Sequence, residues 1–252
     1  MLYGRQKDKS INELYDTIKE RLPDGMSKIA RALTLIATSP LIMDRFPSIL
    51  NSFKEFKEAL DNPDSEVLEK AFLGLYLTIH NTGAQYSETE KRFLRSTGGY
   101  LCYPGGLSPL LIARDFTRDD TVFADLGAGN GLQGLLLQQL YPHKKTIQIE
   151  ISREMVRIGR IYQDALGIKK DKIKWINDDI LNAPFEKADL IYIYRPARPV
   201  EGESLYRGIA ERLSNLKKKI TLFSVADCLS LFLDKSFKKH YDDGHLKIFI
   251  KH

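Results

Sequence analysis

The stretch Thr121 to Gly134, TVFADLGAGNGLQG, decides the reading of this chain. A short apolar strand ends in an aspartate, Asp125, passes through glycines at alternate positions, Gly127, Gly129 and Gly131, and runs into a helix. Glycine adopts positive φ freely and, lacking a Cβ, lets a ligand approach the backbone. The helix start adds unpaired N–H groups and the positive end of a dipole. A strand that breaks into such a turn where a helix begins builds a ligand site out of backbone. That points to a cofactor-binding enzyme.

Strands and helices alternate around this loop. Apolar runs predict strands at Val122–Asp125, Thr146–Glu150, Lys172–Asn177, Asp189–Arg195 and Ile220–Val225, with helices near Leu132–Leu140, Arg153–Leu166 and Glu201–Leu216. Met155, Ile158, Tyr162, Ala165 and Leu166 give the second of these helices one apolar face. The alternation implies a mainly parallel sheet covered on both sides. Ser236–Tyr241 and Leu246–Lys251 flank Asp242-Asp243-Gly244-His245, a hairpin signal, so an antiparallel pair closes the sheet.

Before the loop the texture differs. Gly98-Gly99 and Gly105-Gly106 frame the aromatic stretch Tyr100 to Pro104, and a helix is expected over Ser108–Phe116. Up to about Thr97 four or five helices are expected. Ser10 with Glu13, and Ser87 with Glu90, fit capping boxes. Leu68, Phe72, Leu75, Tyr76 and Ile79 share one helical face, as do Phe46, Leu50, Phe53 and Phe56. The expected organisation is a helical domain over residues 1–97 and an α/β domain over 98–252.

Two readings of the loop compete. Gly129-x-Gly131-x-x-Gly134 satisfies a dinucleotide fingerprint, with Glu150 about twenty residues on where a ribose-binding acid belongs. Asp125-x-Gly127-x-Gly129-x-Gly131 instead resembles the first motif of the class I S-adenosylmethionine-dependent methyltransferases, and the resemblance extends from about Gly98 onward. It implies a seven-stranded Rossmann-like sheet, mostly parallel, with a C-terminal antiparallel hairpin. It also implies that Asp125, Gly127, Ala128, Gly129 and Gly131 surround the methionine part of S-adenosylmethionine, with Tyr194 at the end of the fourth strand. Glu150, followed by Ile151, takes the ribose hydroxyls, since a carboxylate accepts from both at once. Asp179 and Ile180, in Asn177-Asp178-Asp179-Ile180, meet the adenine. Asp178 stands where the family has glycine, which leaves the choice between the two aspartates open. Each acid alone can be an ordinary strand-end or helix-entry residue. Three at successive strand ends form a set, and Asp125 is ill placed for a pyrophosphate.

On the acceptor side, Tyr194-Arg195-Pro196-Ala197-Arg198-Pro199 departs from the Asn/Asp-Pro-Pro-aromatic motif of amino-directed methyltransferases. Arg195 and Arg198 can grip a substrate carboxylate or phosphate, or pair with Glu201 or Glu203. Tyr103, with Tyr100, can close over the methionine end or simply pack. Methyl transfer draws on positioning more than on dedicated groups, and none of the five histidines lies in a known motif, so no catalytic residue is assigned. The expected acceptor is a small molecule held between the two domains. An RNA or protein acceptor, a nicotinamide-dependent oxidoreductase and a non-catalytic binding protein are the alternatives.

The bulk composition agrees with an enzyme of this kind. The 252 residues are 43% hydrophobic and 28% charged, ordinary for a soluble globular protein. The net charge of +5 lies wholly in residues 98–252, but Lys144-Lys145, Lys169-Lys170 and Lys217-Lys218-Lys219 all precede strands. They therefore belong on the edge away from the ligand, which gives little support to a nucleic-acid partner. Cys102 and Cys228 make neither a disulfide framework nor a metal spacing. No metal is expected. The first ten residues hold no apolar core of a secretory signal, and Ala32 to Met43 falls short of a membrane span. A cytoplasmic setting without membrane contact is expected.

Overall fold

The computed structural model describes residues 10–82, 86–96, 98–99, 106–227 and 229–251. The chain divides into two compact units, Met1–Ile79 and His80–His252.

The first unit is helical: α1 (Ile11–Arg21), α2 (Asp24–Ala37), α3 (Pro40–Met43), α4 (Pro47–Leu60) and α5 (Ser65–Asn81), the last running two residues into the second unit. Ser10 and Glu13 form the expected capping box at the start of α1. Ile18, Ile29, Leu33, Ile36, Phe56 and Phe72 are fully buried. Phe56 and Phe72 bring their rings to 6.2 Å, and the hydroxyls of Ser52 and Thr78 meet at 2.8 Å, knitting α4 to α5. Arg21 caps the end of α4 by donating to the carbonyls of Leu60 and Asn62 at 2.8 and 2.6 Å.

The second unit opens with α6 (Glu88–Ser96), whose Ser87–Glu90 capping box is also formed. Six helices thus precede residue 97 among the described residues, where four or five were expected; α3 is the single extra turn, started by Pro40. Next come α7 (Ser108–Ile112) with a 3₁₀ turn to Phe116, β1 (Val122–Leu126), α8 (Leu132–Leu140), β2 (Lys145–Ile149), α9 (Arg153–Ala165), β3 (Ile173–Ile176), β4 (Leu190–Tyr194), α10 (Glu203–Asn215), β5 (Ile220–Val225), β6 (Phe237–Asp242) and β7 (Leu246–Lys251). The strand order is β3-β2-β1-β4-β5-β7-β6. The first five are parallel, and β7 runs antiparallel to both β5 and β6. This is the seven-stranded, mostly parallel Rossmann-like sheet with a C-terminal hairpin that the resemblance implies.

Burial explains the strand types. The inner strands, β1 as VFADL and β4 as LIYIY, are buried on both faces, as a sheet covered by helices requires. The edge strand β6 keeps Lys238, Lys239 and His240 exposed, charges that discourage pairing with another chain. Lys251 of β7 is buried, its Nζ donating to the carbonyls of Leu213, Ser214 and Leu216 at the end of α10. That contact satisfies the orphan acceptors of the helix terminus.

Glycine also sets how closely α8 and α9 lie on the sheet. A Cβ on Gly159 would stand 2.1 Å from Trp175 Cη2, and one on Gly131 2.3 Å from the same atom. Trp175 occupies that space and donates to Gln163 Oε1 at 2.8 Å. The strand order reverses between β1 and β4. In open α/β sheets, the crevice at that switch point, outside the carboxyl ends of the strands, is where ligands bind.

Candidate functional site

The glycine loop lies at this switch point. Gly127, Gly129 and Gly131 adopt φ of +81°, +58° and +71°, values that an L side chain takes only with strain. The amides of Gly127 and Ala128 both donate to the carbonyl of Ile149, at 3.0 and 2.8 Å, so the loop leans onto the end of β2. There Glu150 is buried, and both its oxygens are held: Oε2 by the Gly129 amide and Oε1 by the Ser152 amide, each at 2.8 Å. Burial pushes its carboxyl upward and the two amides pull it back. Each oxygen keeps a lone pair for a further donor. Asn177 Nδ2 donates to the carbonyls of Glu150 and Ile151 at 3.0 and 2.7 Å, tying the end of β3 alongside.

Asp125 ends β1 in the same cavity. The Gly134 amide in the first turn of α8 favours the charged form of its carboxyl, while Oδ2 is buried with no hydrogen-bond partner among the described residues. Burial first, and the charge of Glu150 second, push this carboxyl up to about 7. A buried acceptor without a donor is costly, and this one belongs to a residue that lines the cleft.

The cavity brings together Asp125, Gly127, Ala128, Gly129, Glu150, Ile151, Asp179, Ile180, Tyr194 and Arg195. Gly131 does not line it; its missing side chain makes room for Trp175. Asp178 and Asp179 both line it. Asp179 Oδ1 accepts from the Leu181 amide at 2.8 Å and Asp178 Oδ1 from the Asp179 amide at 2.7 Å. Arg195 is half-buried and makes no ion pair among the described residues; its Nε donates to the Ala226 carbonyl at 2.6 Å. Ala226 has φ +48°, strain of the kind that concentrates at functional sites. Its own amide donates to the His245 carbonyl at 2.7 Å, and the His245 ring lies 5.9 Å from that of Tyr194. The side chain of Asp227 beside it is buried, paired with Lys247 at 3.0 Å and bonded to the side chains of Ser224 and Ser230. Arg198 points away: it is exposed, 3.7 Å from Glu201, and does not line the cavity. Tyr103 and Tyr100 lie outside the described residues.

Part of the wall had no sequence signature. His80, Tyr86, Phe93 and Leu94 line the cavity. His80 is buried, and desolvation pushes its imidazole down to about 4, so the ring is neutral at physiological pH. Asn130, in the glycine loop, donates to the carbonyls of His80 and Thr82 at 2.9 and 3.2 Å. Helix α6 reads ETEKRFLRS, and its two apolar side chains, Phe93 and Leu94, are those on the cavity. Glu90 closes the capping box through Oε2 and accepts the Arg153 amide through Oε1 at 3.1 Å, fixing α6 to the start of α9. The adjacent Phe-Leu pair in a charged helix was the one available hint. No metal-ligand cluster occurs among the described residues, and no described helix is long and apolar enough to cross a membrane.

No family model matches the chain, and no curated protein matches it. Among solved structures it is similar to an RNA methyltransferase from Salinibacter ruber in complex with S-adenosyl-L-homocysteine, at 15% identity and TM-score 0.46 over 59% of this chain and 92% of that one. It is similar to TrmN from Thermus thermophilus at 19% identity and TM-score 0.47, over 57% of this chain and 46% of TrmN. A precorrin-6y C5,15-methyltransferase from Geobacter metallireducens GS-15 aligns at 13% identity and TM-score 0.43, over 58% and 87%. The strand order and sense, rather than these scores, define the fold.

Proposed function

We propose that the second unit binds S-adenosylmethionine and transfers its methyl group to a small molecule. The observation that carries the first half is Asp125, which lines the cleft and whose Oδ2 is buried without a hydrogen-bond partner among the described residues. It asks for a cationic or hydrogen-bond-donating group, which the methionine end of the cofactor has. A dinucleotide pyrophosphate would instead bring negative charge against Asp125 and Glu150, two buried acceptors.

When bound, S-adenosylmethionine supplies a methyl group already activated by its sulfonium. The chain's own residues then bind and orient. Asp125 and the backbone of Gly127 to Gly129 hold the methionine end, and Glu150 accepts from the ribose hydroxyls. Asp179, with Ile180 beside it, receives the adenine. Tyr194 and Arg195 face the acceptor, and Phe93 and Leu94 exclude water from above. Alignment of acceptor and donor by such a frame accounts for much of the acceleration in a reaction of this type.

A small acceptor is favoured by the charge of the lining. Arg195 is the one cationic side chain on it among the described residues, against four carboxylates. An RNA would require several cations at the mouth to meet its phosphates. Arg195 suits one carboxylate or phosphate of a compact substrate. The test is transfer of a radiolabelled methyl group from S-adenosylmethionine in a cell extract, followed by separation into small-molecule, RNA and protein fractions. Label in the small-molecule fraction, lost with Arg195→Ala, supports the reading. Label in RNA or protein overturns the acceptor class.

A further inference from the structure

The centre of α5 is the charge-free run Ala71 to Ile79, AFLGLYLTI. A helix with one buried face keeps the opposite face polar; one that is apolar all round is covered all round. Here Phe72, Leu75, Tyr76 and Ile79 are buried within the first unit, yet Val67, Leu73 and Leu77 stand 40%, 36% and 40% exposed. These three border a groove of about 940 Å³ between α4 and α5, floored by Ala59, Ala71 and Gly74. Gly74 weakens a helix relative to alanine, and a Cβ there would meet nothing within 4 Å. No contact inside the unit accounts for the missing side chain. The rim carries mainly one sign of charge: Glu55 and Glu58 from α4, Glu66 and Glu69 from α5, against Lys70.

We propose that this groove docks an amphipathic α-helix of a partner protein whose apolar stripe is flanked by lysines and arginines. Val67, Leu73 and Leu77 supply the apolar contact, and Gly74 lets the partner's helix lie close. The glutamates meet the flanking cations. Helix-in-groove recognition is read through anchors at i, i+3, i+4 and i+7, and rim charges select the partner and speed the encounter. A second copy of this chain on the same face would set glutamate against glutamate, which disfavours self-association there. The groove lies wholly in the first unit and does not depend on the reading of the cleft.

The test uses the full chain and a fluorescent peptide of about 18 residues, long enough to hold a helix, with leucines at helical spacing and lysines between them. A matching peptide carries glutamates in place of the lysines. We expect saturable binding of the lysine peptide by anisotropy and none of the glutamate peptide. Leu73→Ser combined with Leu77→Ser, which removes two apolar anchors, and separately Gly74→Leu, which fills the groove, should each weaken binding by about tenfold or more. Neither change alters the charge, and the second favours the helix, so far-UV circular dichroism should be unchanged. Failure of the lysine peptide to bind, or equal binding by the wild type and both variants, overturns the proposal. So does a dimer seen in sedimentation that Gly74→Leu dissolves, since the occupant is then a second copy.

Discussion

The Gly129 amide donates to Oε2 of Glu150 at 2.8 Å, so the carboxylate that ends β2 holds the loop that follows β1. Its other oxygen holds Ser152 at the start of α9. Glu150→Ala leaves both amides without their acceptor, and thermal unfolding should show a loss of about 1–3 kcal/mol. Removing a carboxylate whose ionisation burial disfavours offsets part of that loss.

Asp125 should behave in the opposite sense. Its carboxyl is pushed from the ordinary 3.8 up to about 7 by burial and by Glu150. The folded protein therefore holds this proton more tightly than the unfolded chain does. Stability that is fully present below about pH 4 is lost as pH rises to about 7, and is level beyond. Asp125→Asn should remove this slope and stabilise the ligand-free protein by about 2–4 kcal/mol near pH 8. Urea unfolding from about pH 4 to pH 8 checks both points. An unchanged slope in the variant would show that Asp125 is not the group concerned.

Binding of a ligand that carries an ammonium group should draw the proton off Asp125. At about pH 6, calorimetric heats of S-adenosylhomocysteine binding should then vary with the ionisation enthalpy of the buffer, and at about pH 8.5 they should not. Asp125→Asn should abolish the difference.

Gly159→Ala would improve helix propensity by about 1 kcal/mol at an exposed site. Here the added Cβ would meet Trp175 at 2.1 Å and the Asn130 carbonyl at 2.7 Å. Overpacking should dominate, with a net loss of about 1–3 kcal/mol by denaturant unfolding. Trp175→Leu in the same chain should return part of it.

Gly74→Ala reads the other way. Its Cβ enters open space on α5, so the substitution should stabilise the protein by about 0.5–1 kcal/mol. A destabilised variant would mean that the groove is filled in the native protein.

The elements that build the cleft were legible because each has a local signature. Asp125 and the alternate glycines mark a strand breaking into a helix, Glu150 closes an apolar run, and Asp243-Gly244 marks the hairpin. The wall was not legible. His80 and Asn130 are fifty residues apart and meet through a side-chain amide and a carbonyl, a contact no periodicity encodes. Gly131 fits the loop pattern, but its place is decided by Trp175, which lies on β3. Arg195 and Arg198 look equivalent as sequence. The turn after β4 keeps Arg195 on the cleft, bonded to the carbonyl of Ala226, and sends Arg198 outward to Glu201.

The central claim, a methyl-donor site built on Asp125 and Glu150, is tested most directly by isothermal titration of S-adenosylhomocysteine into the full chain near pH 8. We expect one site per chain, weakened by about tenfold or more in Asp125→Ala and in Glu150→Ala, the scale of one lost charged hydrogen bond. Absence of binding, equal affinity in both variants, or preferential binding of NAD would contradict it.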